Sequence, residues 1–128
     1  MRTVLLGLLV LAACSEVTAP SIAMEYELVS INGGALPVVL LSDYDSTVEV
    51  ISDVVTLRAD STFVEIARLR GALLGSTLVV TDSVSGTWSV AGTELQLLLA
   101  NARVSRFQMA GTAITQTVGG RTFVYQRR

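Results

Sequence analysis

The stretch Thr77–Val90, TLVVTDSVSGTWSV, restricts the fold more than any other part of the chain. Its even positions include Leu78, Val80, Val84, Trp88 and Val90, and its odd positions include Thr77, Thr81, Ser83, Ser85, Thr87 and Ser89. A period of two puts each set on its own side of an extended backbone, so the segment reads as a strand with one buried and one wet face. Asp82 and Gly86 interrupt the buried set; an interior glycine in a strand suits a bend or bulge. The same β-branched alternation runs from residue 25 onward, with turn residues about every eight to twelve positions. Helical spacing is nearly absent.

Further strands are expected at about 25–32, 36–41, 47–58, 62–70, 93–99, 103–109, 112–118 and 121–126, with Pro37 making the second of these a weak or edge strand. Their links are hairpin-sized and carry Asn-Gly-Gly at 32–34, Ala-Gly-Thr at 91–93 and 110–112, and Gly-Gly at 119–120. WSVAGTELQL at 88–97 and FQMAGTAITQ at 107–116 echo one another at a spacing of 19, which is one hairpin and its return. Short links imply an antiparallel up-and-down meander, and closing its last strand onto its first hides both edges. Residues 16–53 carry acids and no cation, while residues 103–128 carry five arginines and no acid. If those ends meet, Glu25 and Glu27 face arginines of the final strand. The expected fold class is all-β, a barrel of about eight strands.

The chain contains no histidine, no lysine and a single cysteine, Cys14, in 128 residues. That composition excludes Ser-His-Asp and Cys-His triads, His-ligated metals, zinc ribbons and any intramolecular disulfide. A net charge of −2 without a basic cluster argues against nucleic acid, whose binding begins with phosphate neutralisation. Asp43, Asp45 and Glu49 lack the glycine and terminal glutamate of a calcium loop and read as an acidic surface loop. No pair of carboxylates stands out for acid/base work, so no catalytic residue, metal or cofactor is expected and the chain is read as a non-enzyme.

Arg2, the apolar run Val4–Val10 and Leu11-Ala12-Ala13 have the form of a secretory leader. The run LAAC at 11–14 resembles the lipobox of bacterial lipoproteins, where the cysteine is acylated and the leader is cut just before it. The resemblance implies a signal peptide over 1–13, a lipidated Cys14 with a tether over 14–24, and a domain over 25–128. It implies a lipid-anchored protein of the cell envelope, and Ser15 after the cysteine resembles the outer-membrane class facing the periplasm. Ten residues of tether extend at most about 35 Å, which keeps the domain near the membrane surface.

YELVSINGGALP at 26–37, VTLRADSTFVEI at 55–66, SGTWSVAGTELQL at 85–97 and the closing TFVYQR at 122–127 resemble the small lipocalin-like domains of bacterial lipoproteins. That resemblance implies a barrel interior able to hold a small apolar ligand or a lipid. Phe63, Trp88, Val90, Phe107, Met109, Ile114 and Tyr125 are the candidate lining residues, among further interior positions Leu95, Leu97 and Phe123. An interior filled by side chains is the alternative, in which case the domain contacts an envelope protein or inhibits a hydrolase through its surface. In LRGALLGST at 69–77, Leu73 and Leu74 occupy a loop whose tip is normally polar. They are candidates for a portal, a membrane or partner contact, or a plug over the barrel mouth.

Overall fold

The computed structural model of the protein describes residues 21–128. The expected leader 1–13, the lipidation site Cys14 and the chain up to residue 20 lie outside the described residues. Ten strands follow: β1 Ile22–Ile31, β2 Gly34–Ala35, β3 Val38–Ser42, β4 Ser46–Arg58, β5 Thr62–Leu73, β6 Ser76–Ala91, β7 Glu94–Leu99, β8 Val104–Ala110, β9 Ala113–Val118 and β10 Arg121–Arg127. β4 to β10 pair antiparallel in sequence order. β1 pairs with β10 on one side and β4 on the other, which closes a ring of eight strands.

The expected all-β meander barrel is the fold observed, closed through its first strand. The charge asymmetry has its counterpart in this closure: Arg128 donates from Nη1 to Glu25 Oε1 at 2.6 Å and from Nε to Glu27 Oε2 at 3.2 Å. Both pairs are exposed, where such contacts contribute only about 0–1 kcal/mol. The 19-residue echo is a repeated hairpin. Gly92 and Gly111 open equivalent two-residue turns, β6 to β7 and β8 to β9, with φ of +62° and +59°.

Three boundaries differ from those expected. β1 begins at Ile22 rather than 25, because Ile22 and Met24 already pair with Arg58 and Leu57 of β4, so residues 22–24 of the expected tether belong to the barrel. The segment around Pro37 divides into the two-residue β2 against β1 and the five-residue β3 against β4. Residues 69–77 are not a loop: β5 and β6 stay paired to Leu73↔Ser76, leaving a turn of only Leu74 and Gly75.

The core follows the alternation. Leu28, Ile31, Val55, Leu57, Phe63, Leu95, Leu97, Phe107 and Ile114 are all buried in one cluster. Gly86 shows why glycine stands in the buried face of β6. A Cβ there would collide with the Leu98 carbonyl oxygen and meet the Phe63 ring, so β7 and Phe63 close over bare backbone.

Candidate functional site

The seven residues expected to line a ligand cavity do not behave as one set. Phe63, Phe107, Ile114 and Tyr125 come together in the sealed core, each at most 2% exposed, and Phe107 meets Tyr125 edge to face with ring centres 5.6 Å apart. Trp88 and Met109 are partly buried against them. The Trp88 indole donates to the Arg58 carbonyl at 2.9 Å and so caps that end of the barrel. Val90 shares the inward register with Leu95 but is 45% exposed at the rim. Aromatic and aliphatic side chains thus meet one another where a ligand was expected.

Within this core lies a polar group that the sequence pattern did not single out. Tyr125 on β10 donates its hydroxyl to Asp53 Oδ2 on β4 at 2.7 Å, reaching past the intervening β1. Asp53 Oδ1 is buried, and the group that can donate to it is the neighbouring carboxyl of Glu65 on β5. Burial, then the Asp53 charge and its hydrogen bond, then Asp82 push the Glu65 carboxyl up to about 8. Glu65 therefore keeps its proton at neutral pH and can donate it to Asp53, whose own pKa is raised by burial. Burial and the two facing carboxyls raise the Tyr125 hydroxyl in turn. The arrangement is one shared proton between two acids with a phenol as second donor, a satisfied strut across the barrel. Asp82, opposite Ala67 in register, sits on the inner face just above this pair.

Beyond Asp82 the barrel is no longer closed. β7 accompanies β6 only between Gly86↔Leu99 and Ala91↔Glu94, and β1 accompanies β4 only as far as Val54. β4, β5 and β6 continue together for another turn-bound length, joined by β3 along residues 47–50 of β4. They carry the inward, apolar face of the barrel into the open. Val48, Gly71, Leu73 and Leu78, with Ala72 and Leu74, line a groove of about 630 Å³ there. The opposite face is mixed, with Val79 between Thr77 and Thr81, and Arg70 pairs with Glu49 at 2.7 Å on it.

The tip of this open end is unusual chemically. Leu74 and Gly75 form the turn with φ of +50° and +81°. Two successive positive φ values are the geometry that Asn-Gly normally occupies, and a leucine there carries a left-handed strain of about 1–2 kcal/mol. The Leu74 amide donates to the Asp45 carbonyl at 3.0 Å, which steadies the turn, while Leu73 and Leu74 are 57% and 76% exposed. They extend the groove rather than plug the mouth of the barrel. None of the seven expected lining residues borders the groove.

The fold and its openings define an antiparallel, lipocalin-like eight-stranded barrel, sealed at one end and apolar and open at the other. In comparisons with protein-family models, with curated proteins and with solved structures, nothing matches this chain.

Proposed function

We propose that this protein is an envelope lipoprotein, anchored through acylated Cys14, whose barrel binds a small apolar ligand or lipid at its open end. The groove of about 630 Å³ carries the reading: its volume lies within the roughly 300–1,000 Å³ of small-molecule sites, and Val48, Leu73, Leu74 and Leu78 supply an apolar lining. The binding residues are thus moved from the core around Phe107 to the extension of β4, β5 and β6. The lipobox-like LAAC supports the anchor. Three acyl chains, each stabilised by about 0.8 kcal/mol per buried methylene, exceed what lasting attachment needs.

Native mass spectrometry of the full chain, released from detergent in the presence of palmitate, tests the site. A one-to-one palmitate adduct is expected, lost in Leu78→Glu and kept in Val90→Glu at the sealed end. An adduct indifferent to Leu78→Glu places binding elsewhere, and no adduct at all ends the ligand reading. For the anchor, Cys14→Ser should leave the leader uncut or release the protein from the membrane fraction; unchanged processing and retention would refute it.

The second reading, a domain that contacts another protein through its surface, is favoured by a different observation, the uncovered edge of β6.

A further inference from the structure

From Ser76 to Val84 one edge of β6 has β5 beside it, and the other edge has no strand among the described residues. The last hydrogen bond on that free side is Ala100 N–H to the Ser85 carbonyl at 3.2 Å. Every residue from Ser76 to Ser83 is exposed, including Leu78 at 67%, Val79 at 45% and Val80 at 47%. Sheet proteins blunt such edges with proline, lysine, bulges or short length. The strands at the two ends of the sheet have these devices: β2 is only two residues long, and β3 is five residues long, follows Pro37 and is bulged between Val39 and Leu41. The β6 edge has no proline, no lysine, a continuous register against β5, and a single charge, Asp82.

The residues on this edge are complementary to themselves when the strand is reversed. With Val79 opposite Val79 of a second copy, antiparallel geometry puts Leu78 against Val80 on the inner face and Thr77 against Thr81 on the outer face. Asp82 then lies opposite Ser76, and the two Asp82 carboxylates stand about 20 Å apart. Shifting the pairing so that Val80 is self-opposed sets Asp82 against Leu78. The opposite shift leaves Val80 facing Ser76. In the matched register, Leu74 of the second copy falls level with Val84. A cleft of about 250 Å³ lies there, between Ser83–Ser85 of β6 and Leu99–Asn101 at the end of β7.

We propose that Ser76–Asp82 of β6 pairs antiparallel with the same residues of a second copy about a two-fold axis at Val79, seating Leu74 of each copy against the Ser83–Ser85 and Leu99–Asn101 cleft of the other. Such an interface is isologous, each patch meeting its own counterpart. It fills the missing place beside β6 and sets the two inner faces on one side of a continuous sheet, giving Leu78 of the groove a Val80 neighbour. It also gives a role to the strained leucine at the turn. The pairing rests on the strand edge alone and stands whether or not the groove takes a small ligand.

Sedimentation of the full chain in density-matched detergent, at about 100 µM protein with excess micelles, is expected to show a dimer. Val79→Lys should convert it to a monomer with unchanged far-UV circular dichroism, because Val79 is exposed and the pairing of its neighbours Leu78 and Val80 with β5 remains. Val79→Cys should form a disulfide between the two copies of residue 79, located by peptide mass spectrometry. A monomer at that concentration overturns the proposal. A dimer that survives Val79→Lys, or one that crosslinks through Leu78→Cys or Val80→Cys self-pairs but not through Val79→Cys, overturns the surface or its register. Palmitate binding by a protein that stays monomeric would overturn the pairing and leave the groove reading standing.

Discussion

The two ends of the barrel are built from the same strands and very similar residues, yet one is core and the other is surface. At the end holding Arg58 and Trp88, each strand of the ring has two neighbours, and Leu57, Phe63, Leu95 and Leu97 are at most 1% exposed. At the end holding Ser46 and Leu73, Leu78 and Val80 follow the same inward register but are 67% and 47% exposed. Strand alternation decides which way a side chain points; whether a facing strand extends far enough decides whether it is buried. Apolar residues on the longer strands β4, β5 and β6 therefore form an exposed surface, on which both proposals rest.

The comparison breaks most sharply in the sealed core. Phe107→Ala, which removes a ring packed on Tyr125, should cost about 3–5 kcal/mol in urea unfolding. The same substitution made at two glycines of the inner face then separates the ends. Gly86→Ala drives a Cβ into the Leu98 carbonyl and should destabilise by about 3 kcal/mol, near the upper end for overpacking. Gly71→Ala meets nothing closer than the Leu78 carbonyl oxygen at 4.0 Å, has no positive φ, and should stabilise by about 0.5 kcal/mol. Equal effects at both glycines would remove the distinction between the two ends.

Glu65 lies at the boundary and makes the contrast depend on pH. Its carboxyl is raised from the ordinary 4.5 to about 8, so between those values the folded chain holds a proton that the unfolded chain has lost. The contribution of Glu65 to stability is then fully present below about pH 4.5 and is lost as the pH rises toward 8; the raised Asp53 acts in the same direction. Glu65→Gln keeps a donor for Asp53 without the titration. The melting temperature of this variant should be flatter than that of the wild type between about pH 5 and pH 8, and higher by several degrees at pH 8. A wild-type melting temperature that rises over that interval would exclude the shared proton.

A modest effect belongs to the tip. Leu74→Asn suits the left-handed turn and should raise stability by about 1 kcal/mol. It should weaken self-association at the same time, so that a more stable fold accompanies a weaker dimer. A loss of stability would show that Leu74 is already packed within its own chain.

Much of this architecture was legible in the residues. Alternation at 77–90, the Gly-centred turns and the separation of acids from arginines point to a closed antiparallel barrel, and Arg128 does meet Glu25 and Glu27. The site was less legible because one bulge changes the parity of the pattern and one hairpin is longer than its turn residues suggest. A bulge between Val50 and Ser52 switches the inward set of β4 from Val48 and Val50 to Asp53, Val55 and Leu57. That switch turns Asp53 toward Tyr125, and its trace in the sequence is only the change from even to odd valines. The length of the β5–β6 hairpin was hidden by Leu74-Gly75, which does not resemble the usual polar turn. The aromatic residues that suggested a pocket pack on one another instead, since sequence gives their direction and not the space between them.

The direction of β4 has a consequence for life at a membrane. Its 13 residues span about 40 Å from beside the leucine tip to Arg58, next to which β1 begins at Ile22. The chain from Cys14 to Ser21 covers at most about 25 Å. If Cys14 is acylated as proposed, a single copy held upright by it would lift its groove tens of ångströms clear of the headgroups, and any lipid it took would have to leave the bilayer completely. An antiparallel pair instead directs its two N-termini to opposite ends, and both can reach one bilayer only if the joined sheet lies along it. The thickness of the protein layer on a supported membrane thus distinguishes a standing mast from a recumbent bridge.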